Sequence, residues 1–475
     1  MNTPAIERLR PLAGLALLLA LTGCASNAVQ PSLRASQTFS RSHLGVAPEL
    51  ADTPARRAEM AALADTLLNQ PLSADDAVRL ALATSPAGQV LLLEQAAASA
   101  ANQQSLRPAN PVFTFERLLR NDAGVRDLDI GRMLTVSLLD LILLPGRWDL
   151  AADQERVLRT QAAQQLLDTA TEVRFAWVDA VAAQQAHDYA RQVERAAQAA
   201  AELARRMQSV GNFNTLQRAR EQLFYADAAA QRARAEAAAL DTREKLIRTL
   251  GLDREQAARL TLPANLPDLP ASLPPPMDAP FDDRLDVLLA RAQRDAQGRI
   301  LGETRVTRLL ASVHLSGVRN SATGQPPQTG YELEIPIPIF DLGDARLSAA
   351  EYRYLASAER VVQTERAARS ELYVAARGRQ AAWQLARHYR DEIVPLAQTI
   401  SAENQLRYNG MLIGVFELLA DAREQIAAVQ SALSASRAFW IADAQYMATR
   451  LGRKLDASPA SLSSPTSPAR ADAAH

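Results

Sequence analysis

From Gly146 to about Gln208 the sequence runs without a proline through an alanine-rich pattern, and no other feature limits the fold as much. Read as one helix, its roughly 60 residues would extend about 90 Å at 1.5 Å per residue. Such a helix has little apolar surface per turn and cannot fold alone as a compact core. It must be buried by side-by-side packing into a bundle or cylinder, where small side chains allow close approach. Gly211-Asn212 ends this helix, and a second runs from Thr215 to Leu250, where Gly251 supplies a cap. Apolar residues are 48% of the chain but aromatics only 5%, which also favours long helices over a bulky core.

The pattern around this hairpin occurs twice. Ser73 reads as an N-cap, with Asp75 and Asp76 in the first turn of a helix reaching about Leu106 and stopping at Arg107-Pro108. Val112–Glu116 and Leu134–Leu138 then alternate as strands, with Asn121–Gly124 as the turn between them. A proline-dense linker spans 263–280. After it comes a helix over Phe281–Leu310, with Arg284-Leu285-Asp286 in its first turns, then a strand over Ser312–Ser316. A turn covers Ser321–Gln328, and Tyr331–Phe340 alternates again. A long helix runs from Asp344 to about Tyr408 and breaks at Asn409-Gly410; Pro395 inside it predicts a tolerated kink rather than a hinge. The last helix closes at Leu451-Gly452, matching Leu250-Gly251. Corresponding landmarks lie roughly 200 residues apart, so the chain is a two-fold repeat, 71–262 and 281–455. Residues 24–70 read as an extended arm with a helix near Thr53–Asn69, and 456–475, rich in Ser, Ala and Pro, as a disordered tail.

The N-terminus carries an address. Arg8 and Arg10 precede an apolar run from Leu12 to Leu21, too short to span a bilayer but suited to a secretory signal over 1–23. Leu21-Thr22-Gly23-Cys24 resembles the bacterial lipobox. That resemblance implies cleavage before Cys24, diacylation of its thiol and acylation of its new amino group. Three acyl chains at about 0.8 kcal/mol per buried CH₂ make a firm anchor. The alternative is a secreted protein with an incidental cysteine. Ala25, in place of Asp, resembles an outer-membrane destination in Gram-negative sorting. As the only cysteine, Cys24 excludes a disulfide framework or a cysteine metal cage. Nothing after it approaches the ~20 apolar residues of a membrane helix, so a membrane crossing must use β-strands.

Four strands are too few to close a transmembrane barrel, which needs about eight or more. Open edges cannot face lipid, because each unpaired backbone group there costs several kcal/mol. Several copies must then share one barrel. Two would make a barrel of about eight strands that side chains fill; three would make about twelve and leave a conduit. The expected fold is therefore mainly α with a small membrane β-barrel, a duplicated helix-strand-strand-long helix-helix unit that forms a long α-helical barrel and a twelve-stranded barrel as a trimer.

Several motifs, in order and in duplicate, carry a family resemblance. Leu72-Ser73-Ala74-Asp75-Asp76-Ala77 with Ala81-Leu82-Ala83 looks like an opening helix, and Arg107-Pro108-Ala109-Asn110-Pro111 like a helix-to-strand turn. Ile335-Pro336-Ile337-Pro338-Ile339-Phe340-Asp341-Leu342-Gly343 looks like a strand-to-helix transition, with Leu144-Pro145-Gly146-Arg147 as its first-repeat equivalent. Ser209-Val210-Gly211-Asn212 and Arg407-Tyr408-Asn409-Gly410 look like two helix-hairpin tips. Together they resemble the TolC-like outer-membrane efflux family over nearly the whole mature chain. The resemblance implies a homotrimer anchored in the Gram-negative outer membrane, with its α-barrel in the periplasm. It would be the exit duct of a tripartite pump, joined to a periplasmic adaptor and an inner-membrane transporter that supplies the energy. The tips, Val210, Gly211, Asn212, Phe213 and Asn409, Gly410, Met411, Leu412, would receive the adaptor; glycines there that serve only the turn are the competing account. Glu417 and Asp421, with Gln217 in the first repeat, would ring the periplasmic aperture and favour cations. An ordinary solvated face is the alternative for these.

Other classes find little support. With 52 basic and 53 acidic residues the net charge is −1, which sets up no field for nucleic acid. His43, His187, His314, His388 and His475 show no metal-ligand spacing, and no cofactor motif is present. Nucleotide-loop, serine-hydrolase and zinc-protease signatures are missing, so no enzyme is expected. A periplasmic coiled-coil lipoprotein would need sustained heptads and no strands; a duct for type I protein secretion is the rival within the channel class. The lipobox looks more like channels paired with resistance-nodulation-division pumps. Gly211-Asn212-Phe213-Asn214 and Leu144-Pro145-Gly146-Arg147 look like heavy-metal efflux members, but no metal cargo is specified.

Overall fold

The structure, a computed structural model, describes residues 29–122, 125–274, 281–309 and 312–455. The signal segment 1–23, Cys24 and its acylation, part of the first strand turn, the end of the linker and the tail 456–475 lie outside the described residues. The chain divides into two compact units, and each unit draws on both repeats.

The first unit comprises Met1–Leu67, Arg79–Leu166 and Leu288–Val362. It begins with two helices, α1 (Val29–Leu44) and α2 (Pro54–Leu68). The expected extended arm is thus helical from Val29. Its buried stripe, Ser32, Leu33, Ser36, Ser40 and Leu44, is mostly serine, so it does not read as an apolar face. The buried Gln95 amide serves two of these serines, donating to the Ser32 and Ser36 hydroxyls at 3.1 and 2.7 Å, while the Ser40 hydroxyl has no hydrogen-bond partner among the described residues. The single helix expected from Ser73 to Leu106 is two, α3 (Ala74–Thr84) and α4 (Pro86–Ser105). Pro86 cannot donate into a preceding turn but suits a first helical position, and the Ser85 hydroxyl accepts from the Gly88 amide at 3.0 Å.

The same unit holds one four-stranded antiparallel sheet in the order β1 (Val112–Asp122), β2 (Val125–Ser137), β3 (His314–Ala322), β4 (Gln328–Glu334). The first two strands extend well beyond their apolar cores, because ladder pairing carries charged residues such as Arg120 opposite Asp127. The fourth is shorter than its alternation suggested and stops at Glu334; Pro336 and Pro338 lack the N–H a ladder needs.

From β2 the chain enters α5 (Leu138–Ser209), 72 residues that begin about two turns before Gly146 and enclose Pro145. Arg147 reaches back past that proline to Asp140 at 2.6 Å. The chain returns as α6 (Thr215–Leu250), then α7 (Arg254–Arg259). The second repeat supplies α8 (Leu285–Thr307), α9 (Asp344–His388), α10 (Val394–Asn409) and α11 (Val415–Leu451).

The second unit comprises Leu68–Val78, Leu167–Val287 and Gln363–His475. Three tryptophans tie loops to its helices. The Trp177 indole donates to the Leu72 carbonyl at 2.7 Å, Trp383 to Pro270 at 2.9 Å and Trp440 to Pro267 at 3.1 Å. Leu269 and Leu273 pack on Trp383 and Phe439, so the described part of the proline-dense linker is strapped to helices rather than spacing them. Arg284 is 1% exposed, yet fully employed: it forks onto Asp286 at 2.9 and 3.0 Å and reaches Glu371 and the Ala368 carbonyl. Gly452 closes α11 at φ 108°, where a Cβ would stand 2.5 Å from the Leu285 amide nitrogen. Ahead of Pro395 the helix widens by one residue over Tyr389–Ile393, with the Val394 amide donating to the Tyr389 carbonyl. The kink expected at Pro395 is therefore a π-bulge.

Candidate functional site

The ladder register sorts the sheet into two unlike faces. Directly opposed residues share a face. One carries Phe113, Phe115, Leu134, Leu315, Tyr331 and Leu333, all exposed, with Phe113 at 64% and Tyr331 at 84%. The other carries Thr114, Glu116, Asp127, Asp129, Glu332 and Glu334; contact between the Thr135 and Ser316 hydroxyls at 2.9 Å confirms that these positions lie together. The outer edges of β1 and β4 have no strand partner among the described residues. Among those residues no helix is long and apolar enough to cross a membrane. Inside a bilayer, such a sheet would have to pair its two edges with further strands and close into a barrel, because unpaired backbone groups cannot face lipid.

In the second unit the structure brings the two hairpin tips together. Phe213 is buried against Ala204, Met207, Tyr408, Val415 and Leu419. The backbones share two turn hydrogen bonds. Gly211 donates to Gln208 and Asn212 to Met207; Met411 donates to Tyr408 and Leu412 to Arg407. This pairing aligns Gly211, at φ 83°, with Met411, at φ 59°, and not with Gly410, whose φ is −80°. The expectation that Gly410 makes the second turn is thereby corrected: a methionine takes the left-handed position. Val210, Met411 and Leu412 project apolar side chains into solvent, Met411 at 93% exposure.

No family model matches this sequence, and no curated protein matches it. Its structure, however, is similar to several solved ones. The outer membrane protein VceC from Vibrio cholerae matches with a TM-score of 0.67 at 14% identity, over 80% of this chain and 96% of that one. The Campylobacter jejuni CmeC outer membrane channel gives 0.66 at 13% identity, over 84% and 87%. The open state of the Neisseria gonorrhoeae MtrE outer membrane channel gives 0.62 at 18% identity, over 83% and 90%. The fold is that of the TolC-like channels.

Within this TolC-like fold the aperture candidates take different roles. Gln217 is spent on a capping box with Asn214: its side-chain amide oxygen accepts from the Asn214 N–H and its own N–H donates to Asn214, both at 2.9 Å. Glu417 holds the matching place in α11, exposed, where Gly414 offers no side-chain cap. Asp421 is 9% exposed and has a carboxylate oxygen without a partner among the described residues. Its first-repeat counterpart was missed. Glu221 is buried and bonded at 2.7 Å to Arg423, whose guanidinium also lies 4.5 Å from the Phe224 ring centre. Lining up Asp421 with Glu221 through the duplication would have found it.

Proposed function

We propose that this chain is one subunit of a homotrimeric outer-membrane exit duct that passively conducts substrates expelled by an inner-membrane transporter. The observation that carries the reading is the open four-stranded sheet, with one apolar face, one acidic face and two unsealed edges. Three copies give a barrel of about twelve strands, wide enough to conduct, with the apolar face toward lipid and the acidic face toward water. A strand-free coiled-coil lipoprotein does not accommodate this sheet. Channels of the same fold in the outer membrane support the location. On this reading Cys24 carries the acyl anchor, a periplasmic adaptor docks at the exposed apolar tips, and the transporter is of the resistance-nodulation-division type handling drugs or heavy-metal ions. The carboxylates of Glu417 and Asp421 face the periplasmic aperture.

The test is assembly and conductance of the full chain. Detergent extracts are expected to hold a trimer rich in both helix and β-structure that forms ion-conducting pores in planar bilayers. A monomer with no pore activity overturns the duct. Cys24→Ala should release the protein from membrane pellets unless the barrel alone retains it, so the anchor is read by mass spectrometry of the N-terminal peptide. For the tips, Met411→Asp with Leu412→Asp should abolish adaptor pull-down and leave the trimer mass unchanged. Undiminished pull-down removes the tips from the docking site.

A further inference from the structure

The apolar face of the sheet is not uniformly apolar. Near the helices it carries only uncharged side chains such as Phe113, Leu134 and Leu333. Toward the hairpin turns it bears Arg117, Arg132, Arg319 and Arg126, all exposed. Arg132 and Arg319 are direct ladder partners, so two like charges stand side by side, with Phe115 and Thr329 completing the row. None of these guanidinium groups has a hydrogen-bonding or ionic partner among the described residues.

Neighbouring copies cannot neutralise them. Closing a barrel from identical sheets presents the same face all round, and that face holds no Asp or Glu on any of the four strands. The sheet's carboxylates, Glu116, Asp127, Asp129, Glu332 and Glu334 among them, all lie on the opposite face. Adjacent unpaired cations on a lipid-facing surface are costly at the bilayer midplane and nearly free at its edge. There, an anionic headgroup offers the missing charge and several acceptor oxygens, and guanidinium forks match such oxygens in pairs. We infer that the arginine row around Arg132 and Arg319 is a seat for anionic lipid headgroups in the leaflet that the hairpin turns reach. The acyl chains lie along the apolar rows below, on Phe113, Leu134 and Leu333. The inference rests on the duct reading, since it needs this face to meet lipid.

The experiment uses the full-length assembly in mild detergent, exposed to phosphatidylglycerol or to phosphatidylcholine and analysed by native mass spectrometry. Retention of phosphatidylglycerol is expected to exceed that of phosphatidylcholine by about tenfold, as for charge-assisted hydrogen bonds. Arg132→Gln with Arg319→Gln should erase the preference while trimer mass and conductance stay unchanged. Arg132→Lys with Arg319→Lys should keep much of it, which covers the case in which the first variant does not assemble. Millimolar inorganic phosphate should displace no lipid; full displacement would mark a free-phosphate site and overturn the lipid assignment. Equal retention of phosphatidylglycerol by the wild-type and glutamine trimers sinks the inference alone. No detergent-resistant oligomer sinks the duct reading, and this inference with it.

Discussion

The two hairpin tips have the same backbone and different means of holding it. At the first, glycine occupies the left-handed position and Asn214 caps the following helix in a reciprocal box with Gln217. At the second, Met411 bears the left-handed strain and Gly414 leaves α11 uncapped by any side chain. A few residues on, Glu221 is buried in an ion pair with Arg423 of α11, and Glu221 and Asp421 each keep one carboxylate oxygen without a hydrogen-bond partner among the described residues. The turn residue and the cap both favour the first tip, whereas the ion pair runs from α6 to α11 and ties the two tips together. Duplicated halves have thus kept a shape and diverged in its support: one tip has a glycine at the turn and a side-chain cap, the other carries strain and has no such cap.

The largest expected break in that asymmetry is at the carboxylates. Glu221→Ala leaves Arg423 without its buried partner and should raise local opening where α6 meets α11 by about 1–2 kcal/mol, allowing for the partial exposure of the arginine. Asp421→Ala should shift the second tip by no more than roughly 0.5 kcal/mol. Amide hydrogen exchange of the two tips in the assembled protein reads both. Equal effects would mean that the carboxylates do equivalent jobs and that the bracing is illusory.

Next come the left-handed positions. A Cβ at Gly211 meets nothing within 4 Å, so Gly211→Met isolates backbone strain and should cost about 1 kcal/mol. Met411→Gly relieves the same strain at the other tip, but loosens the unfolded chain, and should gain roughly 0.5 kcal/mol or less. Opposite signs in hydrogen exchange support the alignment of Gly211 with Met411. If Gly410→Ala proves the costlier change at the second tip, that alignment is wrong.

Much of this architecture was legible because it rests on local signals: the caps Gly251 and Gly452, the prolines that stop strands, and the alanine-rich span of α5. What escaped depends on distant partners. Helix α1 hid behind a serine stripe whose burial makes sense only once the Gln95 amide is seen to bond Ser32 and Ser36. Glu221 looked like one solvated acid among many until folding brought Arg423 to it. The arginine row exists only as a property of register, because Arg132 and Arg319 lie far apart in sequence and meet through the β2–β3 ladder. At the tips, Asn409-Gly410 reads like Gly211-Asn212 in composition, yet the hydrogen bonds show that its glycine lies one residue short of the turn position.

The smallest expected effect is a pH response confined to the first tip. Near the end of α5, hydrogen bonds from Arg205 and Arg206 hold the Glu202 carboxyl below the usual carboxylate range. A carboxyl whose folded pKa is depressed contributes stability above its unfolded value and loses it as pH falls through the folded one. The last turns of α5 should therefore open more readily as the medium is acidified through and below the ordinary carboxylate range. All three groups are solvent-facing, so the effect should be slight and should shrink further in high salt. The matching place before the second tip is Ala402, which has nothing to titrate. Hydrogen exchange, corrected for its intrinsic pH dependence, should thus show an acid step at the first tip and none at the second. Glu202→Gln should flatten that step. A step of equal size at both tips, or one that survives the substitution, would place the titrating group elsewhere.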